Sequence, residues 1–226
     1  MNMKIKFSFY LLLVLIHFSA FTQVAVRYEP RHKVALENEY VRLLDVRLPP
    51  KDTSLFHIHE IPSFFIPLST TTIGIEVKGQ APQESKFTAG STWYNDFANG
   101  PLVHKVWNSD TNVLHVVDLE LLSPKNTILP AVDLPGLKID FENEKLRVYK
   151  FEIVPNQHLI LPPLKTPMLF ISVSGPTLEI NNANGYVPPG GRKINAGGFQ
   201  WLDPPKKYVI SNSATSAANA ILILLK

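Results

Sequence analysis

Residues 56–59 read Phe-His-Ile-His, and residues 100–108 read Gly-Pro-Leu-Val-His-Lys-Val-Trp-Asn. Successive side chains on an extended strand point to opposite faces, so His57 and His59 share one face. The second stretch opens on a Gly-Pro turn and sets His104 four positions before Asn108, at the start of another strand. Outward from these stretches the chain is a series of short apolar runs, with almost no sustained helical period. The clearest strands are Val41–Leu48, Phe64–Leu68, Thr72–Val77, Val113–Leu122, Leu146–Val154, Met168–Val173 and Ala220–Leu225. Prolines (19) punctuate the runs and favour strand edges and bulges. Asn99-Gly100 and Asn184-Gly185 are dipeptides of tight hairpin turns. The expected fold class is all-β.

The chain repeats itself. Glu37-Asn38-Glu39-Tyr40-Val41-Arg42 returns as Glu142-Asn143-Glu144-Lys145-Leu146-Arg147, Phe65-Ile66-Pro67-Leu68 falls opposite Phe170-Ile171-Ser172-Val173, and Asn108 falls opposite Asn212. Each copy ends in an apolar strand, which predicts two tandem β-domains. The expected division is an export signal over 1–22, an N-terminal barrel over 23–125 and a C-terminal barrel over 126–226. The join lies in the proline-containing stretch Ser123–Leu134.

His-x-His after a short strand, followed by Gly-Pro and His-x-x-x-Asn, resembles the two sequence motifs of the cupin superfamily. With the duplication counted, the resemblance covers the whole mature chain and implies two tandem jelly-roll barrels, a bicupin. It also implies a divalent metal held by His57, His59 and His104. The glutamate that cupins usually carry four or five residues after the second histidine is missing, since Ser63 and Phe64 stand there. Glu60 directly follows His59 and points to the other face. Three neutral imidazoles suit Fe(II) or Zn, and also Ni or Cu, and disfavour Mn(II). In the second copy an offset of 105 puts Pro162 and Leu164 opposite His57 and His59, and an offset of 104 puts Tyr208 opposite His104, so that barrel is expected to be degenerate and structural. His158 is its one histidine and reads as a surface or turn residue, and His115 as a satisfied core or surface histidine. Phe64, Trp93 and Tyr94 are candidates to line a substrate pocket.

Composition bounds the rest. At 226 residues, 45% hydrophobic and 18% charged, the chain can bury a sizeable core. There is no cysteine, which excludes disulfides, thiolate metal sites and a cysteine nucleophile. Lys4 and Lys6 precede the apolar run Phe7–Phe21, which is short for a membrane span of about 20 residues and reads as a secretory signal. Cleavage near Gln23 would place the mature protein in the periplasm or outside the cell, with no stable membrane insertion. Without that segment the chain is near neutral, which argues against a nucleic-acid partner. No Gly-x-Ser-x-Gly elbow occurs, and Pro188-Pro189-Gly190-Gly191-Arg192-Lys193 lacks the strand-to-helix setting of a phosphate loop. Three functions remain open: a metal-dependent oxygenase or isomerase acting on a small oxygenated molecule, a non-catalytic protein binding a carbohydrate or other small ligand, or a structural scaffold. As the resemblance implies, it would form a homodimer.

Overall fold

The structure is a computed structural model that describes residues 23–123, 134, 136–182 and 191–226. The strands of the first half are β1 (Val24–Ala25), β2 (His32–Glu37), β3 (Val41–Leu48), β4 (His57–His59), β5 (Ser63–Pro67), β6 (Thr71–Val77), β7 (Gln83–Phe87), β8 (Trp93–Asn95), β9 (Leu102–Asn108) and β10 (Leu114–Leu121). Those of the second half are β11 (Lys138–Glu142), β12 (Leu146–Ile153), β13 (His158–Leu161), β14 (Met168–Ser174), β15 (Leu178–Asn182), β16 (Arg192–Ile194), β17 (Phe199–Leu202), β18 (Tyr208–Ser211) and β19 (Ala218–Leu225). The described residues contain no α-helix, and the fold is all-β as expected.

Four sheets form two barrels. In the first, the sheet β1-β4-β9-β6-β7 faces the sheet β2-β3-β10-β5-β8; in the second, β11-β12-β19-β14-β17 faces β13-β18-β15-β16. Each barrel has its own apolar interior, one around Leu44, Leu48, Phe65 and Leu114, the other around Tyr149, Phe170, Leu178 and Leu222. A third apolar layer joins them: Leu43, Phe64, Ile66 and Leu119 from the first barrel pack with Leu146, Leu169, Ile171 and Ile223 from the second. The two sheets meeting there are covered on both faces. Every residue of β10 is therefore buried, and its sequence is a nearly continuous apolar run in place of an alternating one.

The repeat is visible atom by atom. Asn38 Oδ1 accepts from the backbone N–H groups of Tyr40 and Val41, and Asn143 Oδ1 from those of Lys145 and Leu146. Buried Asn108 donates through Nδ2 to the carbonyls of Leu48 (2.9 Å) and Asn112 (2.7 Å). Asn212 does the same to Ile153 (2.8 Å) and Ser216 (2.9 Å). The asparagine of the His-x-x-x-Asn pattern thus ties two loops to a strand end in each barrel.

Three expectations need correction. β18 pairs with β13 so that Tyr208 lies opposite Leu161, as His104 lies opposite His57. One residue is missing between the loop and β13, so the counterpart of His57 is Leu161 rather than Pro162, and that of His59 is Pro163 rather than Leu164. Asn99-Gly100 makes a turn, but it carries the chain from β8 in one sheet to β9 in the other and closes no hairpin. Thirdly, β5 and β8 present alternate residues to opposite faces: Phe65 and Trp93 turn inward, while Phe64 and Tyr94 turn into the layer between the barrels. The export signal, Asn184-Gly185 and most of the join between the barrels lie outside the described residues.

Replacing Asn108 or Asn212 with Ala strands two carbonyls at a strand end, and each variant should lose about 2–4 kcal/mol of stability in urea unfolding. Asn212→Ala, in the barrel that lacks the His57, His59 and His104 cluster, should leave any metal uptake by the native protein unchanged.

Candidate metal centre

β4 and β9 run antiparallel with His57 directly opposite His104 and His59 opposite Leu102. The strand pleat places His57, His59 and His104 on the inward face, where one nitrogen from each lies within 4.8 Å of the others. Nε2 of His59 and Nε2 of His104 are 3.1 Å apart, the spacing of neighbouring donors on one ion with bonds of about 2.0–2.1 Å. His57 shows its tautomer: Nδ1 donates to the Leu55 carbonyl at 2.9 Å, which leaves the Nε2 lone pair free. That Nε2 is buried and has no hydrogen-bond partner. An orphaned, lone-pair-bearing nitrogen beside two more imidazoles is what a divalent cation such as zinc, nickel, copper or Fe(II) requires, so the donor set fits.

Burial sets the charge state. Desolvation, then the neighbouring imidazoles, pushes His57 down to about 3. His104 falls to about 4 for the same reasons, burial first and then His32. His59 is lowered furthest, again by burial and then by His104, His57 and His32. All three rings are therefore neutral and ready to ligate near pH 7.

Two further groups face the same space, and the sequence reading missed both. His32, on β2, lies with its ring 4.6 Å from that of His57. Its Nδ1 is 2.6 Å from the carboxylate of Glu29, which is buried and also accepts from the N–H groups of Arg31 (2.6 Å) and Leu55 (3.1 Å). Burial works to raise the Glu29 carboxyl, but these hydrogen bonds, His32 foremost, hold it below the ordinary value. Glu29 is thus an anion that fixes the His32 ring through Nδ1, and His32 lines the interior space. The second group is Asp118 on β10, with Oδ2 3.6 Å from Nδ1 of His59. Complete burial, then the like charge of Glu120, raises Asp118 well above the ordinary carboxylate value, against a smaller opposing effect of the Ser63 hydroxyl. A glutamate three residues before a histidine, and an aspartate interrupting the apolar run of β10, were the signals available.

These groups border a cavity of about 240 Å³. Phe65, Trp93, Phe97, Leu102 and Val106 are among its apolar walls, and the polar groups are the four histidines, Asp118 and Asn95. Among the described residues no lysine or arginine lines it. Trp93 lines the cavity, whereas Phe64 and Tyr94 do not, for the reason of strand parity given above. Glu60 is exposed on the outside. His115 packs between the barrels and is satisfied by Asp45 at 2.7 Å, and exposed His158 by Ser211 at 2.8 Å. In the second barrel the space corresponding to the cavity is filled by Leu161, Tyr149, Tyr208 and Leu222.

No protein-family profile matches this chain, and no curated protein sequence does. Solved structures do match. The bacterial pirin YhhW from Escherichia coli, solved in complex with nickel(II), is 15% identical with a TM-score of 0.57, covering 86% of this chain and 90% of that one. AerE from Microcystis aeruginosa is also 15% identical, with a TM-score of 0.56 over 88% of this chain and 98% of that one. A salicylate 1,2-dioxygenase from Pseudaminobacter salicylatoxidans is 11% identical, with a TM-score of 0.54 over 82% and 71%. The fold is that of the two-barrel cupins, as the motifs implied.

The histidines make the metal-free protein acid-sensitive. The unfolded chain takes up protons near pH 6.5, whereas folded His57 and His104 resist until about 3 and 4, so stability is lost as pH falls below 6.5. Asp118 and Glu120, both raised in the folded state by burial, act in the opposite sense, but the three imidazoles outnumber the two carboxyls. In chelator-treated protein the urea midpoint should be lower at pH 5 than at pH 7.5, and the difference should shrink in His57→Phe.

Proposed function

We propose that this protein is an exported, metal-dependent enzyme that moves a proton on a small, neutral, largely apolar substrate bearing a carbonyl or hydroxyl oxygen. The observation that carries the reading is His32, held through Nδ1 by Glu29 and lining the same cavity as the three-histidine cluster. His57, His59 and His104 would hold the ion, which when bound supplies Lewis acidity toward a substrate oxygen. The protein's own groups do the rest. His32 Nε2 is the acceptor, and Glu29 on Nδ1 supports the proton that Nε2 takes up. Phe65, Trp93, Phe97 and Leu102 exclude water and accommodate an apolar body, and the absence of any lysine or arginine from the described walls disfavours a carboxylate or phosphate substrate.

Export rests on the charged start and short apolar run of residues 1–22. The mature protein would work in the periplasm or be secreted, with a small molecule as its partner. Homodimer formation is proposed from the cupin resemblance alone.

Protein purified without an affinity tag of histidines should carry near-stoichiometric divalent metal by elemental analysis, and His57→Ala and His104→Ala should each lose it. Metal-loaded protein in D2O should then exchange the methyl protons of acetophenone, followed by NMR, and His32→Phe should abolish exchange while retaining metal. Oxygen consumption without exchange would replace this reading with an oxygenase. Ligand uptake with neither activity would make the protein a binding cupin.

A further inference from the structure

Asp118 is the only carboxyl group among the described residues lining the cavity, and no lysine or arginine among them pairs with it. Glu120, two residues along the same strand, is held by Arg42 at 2.6 Å, and Arg42 also binds Glu37 at 2.8 Å. Asp118 has no such cation, and the Ser63 hydroxyl beside it donates instead to the Ile61 carbonyl at 3.0 Å, which leaves both carboxyl oxygens without a hydrogen-bond partner. An unpaired carboxylate buried in an apolar barrel is costly. The architecture does not need it: Asp118 pairs with Leu44 as Leu222 pairs with Tyr149, and the second barrel, which has lost the histidines, carries leucine at this position.

The nearest orphaned donor is His59 Nδ1, itself buried and without a hydrogen bond, 3.6 Å from Asp118 Oδ2. The gap is slightly beyond hydrogen-bonding distance and closes with a small side-chain shift. His59 Nε2 points the other way, toward His104. We propose that Asp118 is a positioning residue for the metal, accepting the Nδ1–H of His59 and supplying the negative charge that the glutamate-free motif lacks. It does from β10 and through His59 what Ser63 and Phe64 cannot do beside the motif itself. A carboxylate behind a ligating imidazole fixes the tautomer, orients the ring and raises its basicity. The inference rests on the metal-binding reading above, and it explains why a costly carboxylate sits in the barrel that has the histidines and leucine in the barrel that does not.

The test is Zn(II) affinity, by competition with a chromophoric chelator, for the wild type, Asp118→Asn and Asp118→Leu, together with urea unfolding of the metal-free forms. Asp118→Leu should bind Zn(II) about ten- to a hundred-fold more weakly. Asp118→Asn keeps an acceptor oxygen without the charge and should fall between. Metal-free Asp118→Leu should be at least as resistant to urea as the wild type, an effect opposite in sign to that on affinity. The inference alone is overturned if wild type and Asp118→Leu bind equally well, or if the metal-free leucine variant is clearly less stable, which would make Asp118 a scaffold residue. A wild type that takes up no Zn(II) overturns the metal-binding reading and this inference with it.

Discussion

The antiparallel pairing of β4 with β9 is the constraint on which the site depends. With His57 opposite His104 and His59 one pleat further along β4, three imidazoles must enter the barrel together. A slip of one residue would turn either strand's histidines outward. The apolar interior then does two things at once, withholding the solvation that a protonated ring would need and leaving the Nε2 lone pair of His57 without a partner. An ion would satisfy what burial has exposed.

The second barrel shows what the fold alone requires. It keeps the asparagine that ties its loops, the Asn143 turn and the Arg147–Glu142 pair matching Arg42–Glu37. It replaces His57, His104 and Asp118 with Leu161, Tyr208 and Leu222, all packed in one apolar core. Its other contribution is to cover the outer face of the first barrel's inner sheet, burying Phe64, Ile66 and Leu119. The duplication thus separates scaffold from chemistry within one chain.

The fold and the histidine cluster were legible because both are encoded locally. A His-x-His doublet sets its own face, and the paired Glu-Asn-Glu strings mark the repeat. What was not legible depended on register between distant segments. Phe64 and Phe65 are adjacent and both aromatic; only the pairing of β5 with β8 decides that Phe65 meets the cavity and Phe64 the other barrel. His32 and Glu29 lie ahead of the motifs and reach the site only because β2 edges the same sheet as β10. Asp118 was hidden in a strand read for its hydrophobicity, although a carboxylate at that point of an apolar run was itself a signal.

The central claim is that three imidazoles form a metal site, and X-ray absorption at the zinc edge of the zinc-loaded protein tests it most directly. The account predicts three nitrogen donors at about 2.0–2.1 Å, with outer-shell scattering of imidazole rings. A shell of oxygen atoms without imidazole scattering would place the ion elsewhere on the protein and contradict it.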